Sequence, residues 1–355
     1  MAIVLALVLT VGHAAAAGPE IAPDLQENAR HAVDAGLHFL RQSEAEDGSW
    51  SKSVGVTAIA LRAFLESYRK YGESDGAFIT RPVKFIVGHV NSDGSISETM
   101  QNRSYNTATA MVALQATGNK AYADTIRKAQ QFLAKDQLDE GEGYKTTDPY
   151  YGGFGYDKDE LPDLSNEYLA LEGLRLTSLD PKDPVWGRAL KFVSRCQNRS
   201  ESNDQPWAGN DGGFTYMPKE GGSPHGGNRS YGGMTDAGLI SLIFAGVDKK
   251  DPRVQAAYDW IRANYTLDTN PGTDGKSGLY YYYEAFAKAM AAYGDSTVVT
   301  TDGVKHNWRE DYIRKMLSLQ KPDGSWVNTD SAKWWENDKN LITARVVVGL
   351  DLAMR

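Results

Sequence analysis

Apolar residues recur at helical spacing along most of the chain, and the segments they define come in pairs. Val33, Leu37, Phe39 and Leu40 lay a stripe on a first helix, and residues 56–68, rich in Ala and Leu, give a second. The same reading predicts helices over 83–90 and 105–116, 121–138 and 164–176, 185–196 and 231–245, 252–265 and 279–293, and 306–319 and 341–354. Pro162-Asp163 marks the entry to the 164–176 helix, with Asp163 as its N-cap. No stretch keeps strand alternation for long.

Each pair has the same internal contrast. First helices carry charge on one side, as over 124–133, and suit an outer layer with a wet face. Second helices are apolar most of the way round, as over 238–246, and need partners on all sides. Between the two helices of a pair stands a Gly/aromatic turn. Gln320-Lys-Pro-Asp-Gly-Ser-Trp326 is the clearest, and the stretch from Gln42 to Trp50 repeats it with two extra residues. With Gly48, Gly94, Gly153, Gly213, Gly278 and Gly324 as markers, the intervals are 46, 59, 60, 65 and 46 residues. Such self-similarity decides the fold before local detail does. It predicts an all-α chain, an α/α toroid ((α/α)6 barrel) of six helical hairpins, with six inner helices around a central cavity. An open solenoid would lack the inner/outer contrast.

The 355 residues, 41% hydrophobic and 24% charged, suffice for a core without crosslinks. Since the repeat covers nearly everything, one toroid domain is expected over 18–355. A net charge of −8 disfavours nucleic acid or an anionic membrane as partner. Cys196 is the only cysteine, so there is no intrachain disulfide and no thiolate metal cluster. Residues 3–11 form a short apolar run, followed by Ala14 to Ala17. That reads as a signal peptide over 1–17, too short to span a bilayer, and predicts export to the periplasm or beyond. It departs from the usual pattern in having no Lys or Arg before Arg30.

The Gln-x-x-x-Gly-x-Trp form of Gln320 to Trp326 resembles the QW motif of squalene and hopene cyclases. The apolar inner helices after such turns are similar to those of the protein prenyltransferase β-subunit. The resemblance covers about residues 25–355 and implies the toroid fold. It also implies a central pocket for a long apolar or isoprenoid molecule, bound by a monomer. Neither family's chemistry is spelled out here. Cyclases carry an Asp-x-Asp-Asp motif just before Thr-Ala on an inner helix. The residues preceding Thr57-Ala58, Thr107-Ala108 and Thr343-Ala344 include no acid. The nearest look-alike, Asp157-Lys-Asp159-Glu160, comes a few residues early. The prenyltransferase zinc site needs an Asp-x-Cys pair, which is missing, and no cofactor is expected.

Aligning the inner helices on Thr57, Thr107, Asn166, Thr235, Tyr283 and Thr343 places Glu167, Asp236 and Glu284 at one level of the ring. Carboxylates crowded in an apolar wall become general acids, so these three are the candidate catalytic residues, Asp236 first. The bland alternative is a hydrated rim or pairing with Arg175, Arg229 or Arg345. Tyr280, Tyr282 and Tyr283, from four consecutive tyrosines, are candidate substrate-binding residues, since aromatic faces stabilise cations and also simply fill cores. Four in a row at a helix start point in several directions, so at most two line the cavity. His225, Arg229 and Tyr231 lie in a long Gly-rich loop suited to an anion, and Trp334 and Trp335 precede the last inner helix. Three functions stay open: an exported, atypical member of the cyclase/prenyltransferase group that binds and acid-transforms a terpenoid; a secreted carbohydrate-active hydrolase or lyase; and a non-catalytic binding or scaffold protein.

Overall fold

The computed structural model describes residues 21–157, 160–273 and 275–355. The expected signal peptide and Asp159 of the acidic look-alike lie outside them. Among the described residues, twelve α-helices alternate between two layers. The inner six are α2 (Val54–Glu66), α4 (Arg103–Ala116), α6 (Leu164–Leu176), α8 (Gly232–Phe244), α10 (Leu279–Tyr293) and α12 (Lys339–Met354). Each packs against the next, and α12 packs back on α2, so the ring closes. The outer six are α1 (Pro23–Ser43), α3 (Ala77–Gly88), α5 (Ala123–Asp136), α7 (Pro184–Cys196), α9 (Pro252–Ala263) and α11 (Trp308–Leu319). The chain has the all-α toroid architecture that the pairing of helices predicts. No helix among the described residues is long and apolar enough to cross a membrane.

The turns explain the closure. Gly48, Gly94, Gly152, Gly212 and Gly324 all have φ between +83° and +92°. A Cβ on any of them would come within 2.1–2.6 Å of the backbone of the next outer helix, at Arg81, Lys128, Arg188, Ala256 and Ala35. Only glycine satisfies both demands. Gly324 docks on α1, which joins the last unit to the first. The turn glycines of the third and fourth units are therefore Gly152 and Gly212, one residue before the markers chosen from sequence. Gln137, Gln197 and Gln320 reinforce the contact, each donating to its turn glycine's carbonyl and to the next outer helix, at Val185, Arg253 and Ala32. Gln42, at its longer spacing, is exposed. Trp50 and Trp326 still bury their rings, each indole donating 2.8 Å to an outer-helix carbonyl, Leu40 and Met316.

Two elements escape the periodicity. The α3 helix begins at Ala77, before Pro82, where a sequence reading starts it afterwards because proline usually ends a helical run. A small hairpin, β1 (Thr297–Val299) with β2 (Lys305–Asn307), precedes α11. Three-residue strands are too short to leave an alternating signature.

Candidate functional site

The residue after each turn shows the true register of the inner helices. The backbone N–H groups of Trp50, Ile96, Phe214 and Trp326 donate to Thr57, Thr107, Thr235 and Thr343. In the third unit Phe154 N–H donates to Glu167 Oε2 at 2.9 Å, so Glu167, not Asn166, stands in the threonine position. Among the described residues the fifth unit shows no such bond. Instead Glu336, fully buried in the loop before α12, accepts the N–H groups of Leu279, Tyr280 and Tyr281 at 2.7–3.0 Å. Its carboxylate sits where the positive end of α10 favours an anion.

The three carboxylates aligned by sequence do not converge on one site. Glu167 faces its own turn, and burial raises its pKa well above the usual range. Asp236 points outward from α8, among Trp260, Ile261, Asn264, Pro271 and Tyr282, in a gap with no room for a water molecule. Neither of its oxygens has a hydrogen-bond partner, and burial alone pushes its pKa far up. Only Glu284 faces the axis. It pairs with Lys288 at 2.9 Å and with Arg345 at 3.0 Å.

That pair belongs to a buried charged floor where an apolar wall was expected. Lys288 reaches Glu172 at 3.0 Å and donates to the Tyr168 hydroxyl at 2.6 Å. Glu172 also meets Arg62 at 3.2 Å, and Arg62 holds Glu66. The network thus ties α2, α6, α10 and α12 together across the ring. Although burial opposes ionisation, Arg62 and Lys288 hold Glu172 down to about 2. Glu172 is therefore held there as a charge, not as a neutral acid.

Above the floor, towards the N-termini of the inner helices, tyrosines converge from several units. Tyr105, Tyr156, Tyr216 and Tyr281 each keep part of their surface accessible, and Tyr156, Tyr216 and Tyr281 also lie deep among protein atoms. Tyr105 and Tyr156 have ring centroids 6.4 Å apart. The Tyr216 hydroxyl donates to Asp163 and lies against Tyr156, and Tyr281 lies beside Ser165. Asp163 caps α6 as expected, accepting from Ser165 N and Asn166 N at 2.9 and 3.0 Å and from Asn166 Nδ2 at 2.7 Å. Burial raises its pKa to about 6, against the pull of those donors.

Of the candidate binding residues, the structure brings together His225, Tyr231 and Trp334. The imidazole is 4.7 Å from the Tyr231 ring and 6.1 Å from the indole. Arg229 is exposed, and Trp335, 59% exposed, projects from the rim. Tyr280 packs edge-on against Tyr283, and the hydroxyls of Tyr282 and Tyr283 donate outward to Thr266 and Leu267 carbonyls. The fourth tyrosine, Tyr281, is the one beside the axis. Reading the helix as i, i+3, i+7 from Tyr281 finds Glu284 and Lys288, a signal that the sequence held once the facing side was known.

No protein-family profile and no curated protein matches the chain. Solved structures do. A protein from Actinoplanes is 16% identical with a TM-score of 0.54, covering 92% of this chain and 100% of its own. A variant of the type II terpene cyclase MstE from Scytonema, in complex with the product merosterolic acid A, is 13% identical with a TM-score of 0.56, covering 94% of this chain and 99% of its own. The Candida albicans protein geranylgeranyltransferase-I complexed with GGPP is 14% identical with a TM-score of 0.54, covering 90% of each chain. At such identities the likeness is one of fold, and the chain shares the α/α toroid of these proteins.

Proposed function

We propose that this is an exported toroid protein that binds an isoprenoid-type small molecule among Tyr105, Tyr156, Tyr216 and Tyr281 and transforms it by acid catalysis, with Asp163 as proton donor. The observation that carries the reading is Asp163 itself: buried, with its pKa raised to about 6, and hydrogen-bonded to the Tyr216 phenol at the N-terminal end of α6. A general acid works best with a pKa near the working pH. Protonating one carbon of an alkene leaves the charge on the other, which the faces of Tyr105, Tyr156 and Tyr281 are placed to stabilise. Loss of a neighbouring C–H proton then quenches the cation and can return the proton to Asp163. The charged floor keeps a hydrocarbon tail from running down the axis. Met100, Leu161 and Trp334, exposed in the loops entering α4, α6 and α12, offer it apolar surface on the same rim. The isoprenoid ligands of the two structural neighbours support this by analogy of fold.

The test is native mass spectrometry of the mature chain with a lipid extract, followed by turnover of any retained isoprenoid by wild type and Asp163→Asn. Asparagine still caps the helix, so loss of product with binding intact supports the reading. Unchanged turnover in the variant sinks the acid step. A second reading, a carbohydrate ligand, draws on exposed Trp334 beside His225, which packs on Tyr231, and on exposed Trp335 next in the chain. A retained oligosaccharide in the same experiment would favour it.

A further inference from the structure

On the outside of the ring, three cations converge on one cavity, where α7, the loop after it and the start of α9 meet. The cavity measures about 290 Å³ and opens to solvent; small-molecule sites begin at about 300 Å³. Its α7 wall is a single helical face, with Leu190 and Lys191 one turn before Ser194 and Arg195. Arg195, 2% exposed, uses four of its five N–H groups on Asp204 and on the carbonyls of Thr146 and Asp148. Arg253, from α9, uses three, two on Asp251 and one on Ser194 Oγ. Two of its N–H groups stay idle. Lys191 makes no ion pair among the described residues and only borders the Tyr151 ring, at 5.9 Å. Asp204 is the acid in the lining, and the hydrogen bonds from Arg195 hold its pKa at about 2, so it is an occupied counter-ion. Three cations thus face two carboxylates. The unmatched charge is that of Lys191.

We propose that this cavity binds a small organic oxyanion, a phosphate monoester or a carboxylate of about monosaccharide size. The site is built by outer helices, so it stands apart from the axis and from the isoprenoid reading. The anion bridges the Lys191 ammonium on one wall and the idle N–H groups of Arg253 on the other. The ammonium supplies a point charge without fixed geometry, and the guanidinium adds directed donors. Such a ligand completes the charge balance that Asp204 and Asp251 leave open, which a neutral molecule cannot do. Leu190 gives its carbon skeleton an uncharged surface to rest on.

Calorimetric titration of the full chain at low salt with glucose 6-phosphate, gluconate and glucose tests this. At least one of the two anions should bind about 10-fold or more tighter than glucose, as expected for charge-assisted contacts. The tighter anion identifies the head. Lys191→Met should abolish the preference, and Arg253→Gln should weaken it several-fold. Lys191 and Arg253 are both partly exposed, and an unchanged Tm confirms that each variant folds. Lys135→Met, an exposed change on α5 that removes the same charge outside the cavity, should bind like wild type. Equal affinity for all three probes, or binding of none, overturns the inference and leaves the isoprenoid reading untouched. A preference that survives in both cavity variants, or that Lys135→Met lowers as much as Lys191→Met does, reports general charge attraction and overturns it too. Asp163→Asn should leave the preference intact; its loss there would put the anion at the axis and sink the outer site.

Discussion

Asp163 and Asp236 are both buried aspartates at the start of an inner helix, and both have raised pKa values, yet they sit in opposite kinds of surroundings. Asp163 receives two backbone N–H groups, an amide and a phenol, and is raised only to about 6. Asp236 receives nothing and is driven far higher by desolvation alone. The contrast separates two effects that a sequence reading merges. Burial by itself locks a carboxyl in its neutral form. Burial opposed by donors leaves it able to change state, which is what proton transfer needs.

Substituting each aspartate by asparagine should break the symmetry between them most sharply. Asp163→Asn is expected to lower turnover by about 10²- to 10⁴-fold, the usual worth of a general acid, while Asp236→Asn leaves turnover within a few-fold. Equal losses would show that Asp163 has no special part beside the wall between α8 and α9. The charged floor beneath Asp163 gives the next largest effect. Glu172→Gln removes the counter-ion between Arg62 and Lys288 and should cost about 3–5 kcal/mol in urea unfolding. A loss near zero would mean the two cations re-pair with Glu66 and Glu284.

Gly324→Ala is expected to cost about 2–3 kcal/mol, since φ is +83° and the new Cβ would lie 2.5 Å from the Ala35 carbonyl oxygen. Gly246→Ala, at φ +84° but in open space, should cost about 1 kcal/mol, isolating the docking contact from the dihedral. Asp236 also carries a pH signature. Its folded pKa is raised, so its neutral form is fully compatible with the fold below the ordinary value near 3.8, and stability falls as pH climbs towards the folded value. The slope is about 1.4 kcal/mol per pH unit for one group, and Asp236→Asn should remove it from a chemical-denaturation series between pH 5 and 8. The smallest effect is local: Glu336→Gln should speed hydrogen exchange of the Leu279, Tyr280 and Tyr281 amides about 10-fold, with Tm nearly unchanged.

What the sequence determined by itself was whatever repeats or acts within a few residues. Helical periodicity, the polar stripe of outer helices, the Gly-x-Trp turns and the Asp163 cap are all local, and they sufficed for a toroid of six hairpins. Register was already less secure. One glutamate in a threonine's place shifted the third helix by a residue, because the Phe154 N–H can donate to a carboxylate as well as to a hydroxyl. Which face of each helix meets the axis was a tertiary matter. Four adjacent tyrosines look alike in sequence, but at 100° per residue only Tyr281 turns inward, above Glu284 and Lys288. The charged floor joins α2, α6, α10 and α12, residues up to 283 positions apart between Arg62 and Arg345. No local pattern encodes that meeting; it exists because ring closure brings the last inner helix against the first.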